Sequence, residues 1–137
     1  MEVDIRAAIP ADLDRILKLW QVAAAEPTHT DDLTSLDQLI TFDPSALLVA
    51  ETDGELVGSV IAGWDGWRGS IYRLAVVPEY RRRGLARDLM DAAVTRLREA
   101  GAVRLQAIVA EDDERATGFW GASGWERQVA RARFVNG

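Results

Sequence analysis

The chain of 137 residues contains no cysteine, a single histidine, His29, and a single lysine, Lys18. Without cysteine there is no disulfide framework and no thiolate nucleophile. One histidine leaves no partner for a His/Cys metal centre or for a mechanism that needs two imidazoles, so no metal is expected. No apolar run approaches the roughly 20 residues of a membrane-spanning helix. The opening MEVDIRAAIP has neither the basic start nor the apolar centre of a signal peptide, so a cytoplasmic protein away from any membrane is expected. A net charge of −6 argues against a sequence-independent nucleic-acid binder, which needs a basic domain or face.

What is present reads as one compact domain over residues 1–137, since the length supports one core but not two. VDIRAAI (3–9) alternates as a first strand. Pro10 suits a helix start, with Asp12 and Asp14 near its positive end, and Leu13, Ile16, Leu17 and Trp20 recur at helical spacing over 11–25. Ser35 with Gln38 has the form of a capping box before a second, shorter helix. ALLVAE (46–51) and LVGSVIAGW (56–64) flank an Asp-Gly hairpin signal, and SIYRLAVV (70–77) follows a second turn, giving an antiparallel meander. From Gly84 the apolar positions Leu85, Leu89, Met90, Ala93, Val94 and Leu97 step by three and four, with Gly101 as a C-cap. VRLQAIVA (103–110) is a further strand, EDDERATGFWGAS a helix closed by Gly124, and WERQVARARFV (125–135) a final strand. The strand–helix–strand unit over 70–110 should be parallel and right-handed. The class is α+β.

VVPEYRRRGLARDLM (76–90) concentrates positive charge in an acidic chain. Arg81, Arg82, Arg83 and Arg87 surround a strand-to-helix turn, where first-turn amides lack intrahelical partners and the helix dipole is positive. Gly84 and Ala86 keep that turn free of bulk. Two readings fit: a polyanion site built from amides and guanidinium groups, or a solvated basic surface. Neither a G-x-x-x-x-G-K-[ST] nor a G-x-G-x-x-G pattern occurs, so the identity of the polyanion stays open at this level.

Arg81-Arg82-Arg83-Gly84-Leu85-Ala86 resembles the acetyl-CoA-binding signature of the GNAT N-acetyltransferases, Arg/Gln-x-x-Gly-x-Gly/Ala, and LAVVPEY is the family's usual lead-in. IRAAIPADLDRILKLW is similar to the family's first strand and helix, and FWGASGW stands where relatives carry Phe-Tyr-x-x-x-Gly-Phe. The resemblance implies a central mixed sheet of six to seven strands with helices on both faces. It implies an N-acyltransferase using acetyl-CoA, with direct transfer to a primary amine of a small molecule or protein, in a monomer or homodimer. The alternatives are a coenzyme A-binding sensor with little or no catalysis, and a domain whose arginine loop docks an acidic partner.

On the family's pattern, Arg81, Arg82, Arg83, Gly84, Leu85, Ala86 and Arg87 hold the pyrophosphate, while Leu74, Ala75 and Val76 bind the pantetheine arm through their backbone. Asp113 stands where relatives often have asparagine, and Trp120 replaces the tyrosine that serves them as general acid. Tyr72 and Glu111, with Asp112 beside it, are the candidates for removing the amine's proton. Trp20, His29, Asp31, Asp32, Trp64 and Trp67 map to the acceptor side, where tryptophans and acids together suit a cationic, partly apolar amine.

Overall fold

The computed structural model describes residues 2–23, 25, 27–110 and 113–137. The chain runs β1 (Asp4–Ala7), a 3-10 turn (Pro10–Asp12), α1 (Leu13–Val22), α2 (Leu33–Phe42), β2 (Leu47–Thr52), β3 (Glu55–Trp64), β4 (Gly69–Val76), a second 3-10 turn (Pro78–Tyr80), α3 (Leu85–Ala100), β5 (Leu105–Ala107) and α4 (Glu114–Ala122). The sheet order is β1-β2-β3-β4-β5; the first three pairings are antiparallel and β4–β5 is parallel. Asp53 and Gly54 both adopt positive φ, 50° and 78°, as the tight Asp-Gly hairpin between β2 and β3 demands.

Strand alternation on β3 assigns the two faces. A Cβ on Gly58 would come within 2.8 Å of Leu89 Cδ1, so α3 approaches the sheet closely on that side. Ser59, the next residue, points the other way and accepts a hydrogen bond from Trp20 of α1. Helices therefore cover both faces, and α3 buries Leu85, Leu89, Met90, Ala93 and Leu97. No helix among the described residues is long and apolar enough to cross a membrane.

Three expectations are corrected. Among the described residues the sheet has five strands, not six or seven: residues 125–135 form no strand, and Val129, Phe134 and Val135 are exposed. Alternation is not enough without a ladder, and β5 offers only three residues to pair with. The cap of α2 is Asp32, whose carboxylate accepts from the Ser35 amide at 2.7 Å, rather than Ser35 itself. Asp12 does more than complement a helix dipole. Its side chain, 1% exposed, accepts from Arg6 Nη1 and Nη2 at 2.7 and 3.0 Å, from Arg15 at 2.9 Å and from the Ile9 amide at 2.8 Å.

The Arg6 hydrogen bonds hold the Asp12 carboxyl well below the usual carboxylate range. A lowered folded-state pKa adds stability above the unfolded value of about 3.9 and loses it as pH falls through the folded value. Replacing Asp12 strands a partly buried guanidinium, so Asp12→Asn should cost about 3 kcal/mol at pH 7. Urea unfolding from pH 7 to pH 2 should show the gap to the parent protein narrowing below about pH 4. A gap independent of pH would contradict this role.

Candidate active site

The site begins where two strands part. β4 and β5 pair only at Gly69↔Leu105, Ser70↔Gln106 and Ile71↔Ala107, followed by one further bond from the Ile108 amide to the Ile71 carbonyl. From Tyr72 onward, β3 is the only strand among the described residues that β4 pairs with. On that side the ladder is also interrupted. Ser59 faces Ala75 and Ile61 faces Tyr72, so Arg73 and Leu74 together oppose Val60 in a bulge.

Arg73 sits there with φ 55°, a left-handed conformation that a non-glycine residue rarely adopts. Its carbonyl accepts from Ser59 Oγ at 2.9 Å, and that oxygen accepts from Trp20 Nε1 at 2.8 Å. Ser59 is fully buried and Trp20 is 3% exposed. A buried serine in an apolar strand thus satisfies the carbonyl that the bulge removes from the ladder.

The Arg73 side chain lies over the Trp20 ring, 4.9 Å from its centroid, and its Nη2 donates to both oxygens of Asp31 at 2.8 and 2.7 Å and to Thr28 Oγ1 at 3.3 Å. Asp31 in turn accepts from the amide and hydroxyl of Thr28. The α1–α2 loop is thereby fastened to the bulge. Trp20 and Asp31 do come together, but the cation between them is Arg73. His29 is exposed in the same loop. Tyr72 is 37% exposed and lies across Gly63, and partial burial pushes its phenol pKa up.

Trp64 and Trp67 lie elsewhere. With Arg68, Ala100, Gly101 and Arg104 they line a cavity of about 460 Å³ at the C-terminal end of α3, the far end of that helix from Gly84. Glu111 and Asp112 lie outside the described residues. Among the described residues no group of three His, Cys, Asp or Glu side chains forms a metal cluster.

At the other end of β4 the chain turns through Pro78–Tyr80 into α3, with Arg82 at φ 63° and Gly84 at φ 80°. The Asp88 amide makes the first helical bond, to the Gly84 carbonyl, so the amides of Leu85, Ala86 and Arg87 have no partner within the helix. A Cβ on Gly84 would meet nothing within 4 Å; the space over the turn is open. Arg82, Arg83 and Arg87 are exposed around it.

Arg81 differs from those three. Its Nε donates to the Val76 carbonyl at 3.1 Å and its Nη2 to the Ala23 carbonyl at 3.0 Å, joining the end of β4 to the end of α1. Burial, with Arg115 nearby, lowers its basicity. Asp113 caps α4 by accepting from the Ala116 amide at 3.0 Å. Trp120 is buried, edge-on to Phe119 and Trp125, as a packing residue of α4.

Sequence reasoning missed the Ser59 and Arg73 pairing with the bulge. The signal was there as two polar residues interrupting apolar strand runs, LVGSVIA and IYRLAVV. Arg81→Ala should lower stability by about 1–3 kcal/mol, because two carbonyls lose a charged donor. Arg83→Ala and Arg87→Ala should stay within about 0.5 kcal/mol. Urea titrations of the three variants check this, and equal effects would contradict it.

A family model described as the acetyltransferase (GNAT) family matches residues 13–125. Among solved structures, Ard1 from Thermoplasma volcanium superposes with a TM-score of 0.80 at 23% identity, covering 90% of this chain and 82% of that one. The PaiA N-acetyltransferase from Thermoplasma acidophilum, in complex with coenzyme A, gives 0.82 at 17% identity over 96% and 94% of the two chains. The aminoglycoside 6'-N-acetyltransferase AAC(6')-IG from Acinetobacter haemolyticus gives 0.78 at 19% identity over 98% of each. At these identities the three establish a shared fold. With the family model spanning most of the chain and the parted strands leading to an open, arginine-ringed helix start, the protein belongs to the GNAT acetyltransferase family.

Proposed function

We propose that this protein transfers an acyl group, acetyl in the first instance, from acetyl-CoA directly to a primary amine. The observation that carries the reading is continuity: beyond Ile71 the edge of β4 has no strand partner among the described residues, and it leads past the Arg81 contact on the Val76 carbonyl into the open turn at Gly84. The residues present fit the donor. The first-turn amides of α3, with Arg82, Arg83 and Arg87, would hold a pyrophosphate, and the open space over Gly84 admits one. Leu74 and the Val76 amide, along the parted edge, would satisfy an amide-rich arm, while the Val76 carbonyl already accepts from Arg81 and Ala75 pairs with Ser59 of β3. PaiA, solved with coenzyme A, and an aminoglycoside N-acetyltransferase share the fold, which supports this donor and an amine acceptor.

In such a transfer the amine nitrogen bonds to the acyl carbon, the carbon–sulfur bond breaks with its electron pair leaving on sulfur as the thiolate, and the amine's proton passes through water to that thiolate, giving the amide and the free thiol. The donor supplies an activated acyl carbon. This chain supplies position: the gap between β4 and β5 brings amine and acyl carbon together and excludes water. Tyr72, protonated at neutral pH, would donate a hydrogen bond rather than take the amine's proton. Trp120 cannot take over the acid role of the tyrosine it replaces, because an indole N–H is far too weak an acid. That substitution favours a second reading, a coenzyme A-binding protein of low catalytic power.

Calorimetry with acetyl-CoA tests the donor site. Gly84→Val should abolish binding by filling the open turn, whereas Trp120→Phe should leave it unchanged. Unchanged affinity in Gly84→Val would overturn the assignment. In single-turnover assays Trp120→Phe should change the chemical step by less than about tenfold, against the 10²–10⁴-fold typical of a lost general acid. A loss of about 10³-fold with binding intact would show that the indole takes part.

A further inference from the structure

Arg73 stands at the opening between the strands, two residues beyond the last β4–β5 pair. Its bonding is lopsided. Nη2 alone makes the contacts to Asp31 and Thr28; among the described residues Nε and Nη1 donate to nothing. No buried side-chain nitrogen there lacks a partner, so these two nitrogens reach solvent, although the side chain as a whole is only 14% exposed. Trp20 behind the guanidinium and Asp31 on one side fix its plane. The result is a rigid, charged fork with three N–H donors open to solvent beside the strand opening.

We propose that Arg73 selects the acceptor by binding its carboxylate, so that the substrate is an amino acid whose reacting amine lies a few bonds from that carboxylate. This rests on the transferase reading above. A guanidinium has five donors, enough to bridge Asp31 and a second carboxylate, and it matches a carboxylate better than an ammonium does. A cationic acceptor is disfavoured by the same geometry. The aromatic-plus-carboxylate position that would bind it already holds Arg73. The short reach from Arg73 to the strand opening places carboxylate and amine on one small molecule. Because its orientation is preset by Trp20 and Asp31, the fork loses little freedom on binding.

The test uses amino acids and their matching amides, leucine and leucinamide first, as acceptors with acetyl-CoA at equal free-amine concentration. The acid should exceed the amide in kcat/KM by about tenfold or more, the usual effect of one charge-assisted hydrogen bond. Arg73→Met should abolish the preference and Arg73→Lys, which keeps the charge without the fork, should reduce it. Asp31→Asn separates recognition from a merely structural tie. Loss of the preset plane should raise KM for the acid and leave KM for the amide unchanged, whereas loss of a merely structural tie would raise KM for acid and amide alike. A second arm needs no turnover: the Arg73 Nε–H resonance of the coenzyme-bound protein is followed during titration with leucine or leucinamide. A shift with leucine and none with leucinamide supports the assignment even if no transfer occurs, in which case the transferase reading falls; no shift with either overturns the assignment. Transfer to amides as readily as to acids, or a preference surviving in Arg73→Met, overturns the assignment and leaves the transferase reading standing.

Discussion

The hydrogen bond from Ser59 to the Arg73 carbonyl is the small feature on which the cleft depends. A bulge takes that carbonyl out of the β3–β4 ladder and places Arg73 in a left-handed conformation, at a cost of about 1–3 kcal/mol. Without a partner the carbonyl would add a further desolvation penalty of similar size. Ser59 provides the partner, and Trp20 fixes the Ser59 hydroxyl from the opposite side. The same bulge aims the Arg73 side chain at the α1–α2 loop. One distortion therefore loosens β4 from its regular ladder, and its residue's side chain anchors the loop that borders the opening.

The arginines explain how an acidic chain displays a basic loop. Arg6 and Arg15 are committed to Asp12, Arg96 to Asp43, and Arg73 to Asp31. Arg81 spends its donors on two backbone carbonyls. Three exposed guanidinium groups, Arg82, Arg83 and Arg87, then stand around the open amides of α3, where the helix dipole makes cations unfavourable unless an anion joins them. A Cβ would find open space at Gly84.

Much of this was legible in the sequence because it rests on local rules. The Asp-Gly turn, the apolar stripe from Leu85 to Leu97, the Gly101 cap and the strand-to-helix turn at Gly84 follow from backbone conformation and spacing, and the structure has each of them. What failed was non-local. Residues 125–135 alternate like a strand but have no ladder to join. Trp64 and Trp67 have pocket chemistry, yet the β3–β4 turn carries them to the wrong end of α3. Trp20 and Asp31 meet through Arg73, a cation from the chain itself, in a contact spanning 42 residues that no spacing rule reveals.

Amide hydrogen exchange with and without coenzyme A tests most directly whether the parted edge of β4 and the α3 turn form one donor site. Exchange should slow on adding coenzyme A at Leu74 and Val76 and at the amides of residues 83–87, in the same concentration range. Gly69, Ser70 and Ile71, already paired with β5, should be unaffected. Protection confined to the turn, or appearing instead around Trp64 and Trp67, would contradict the account.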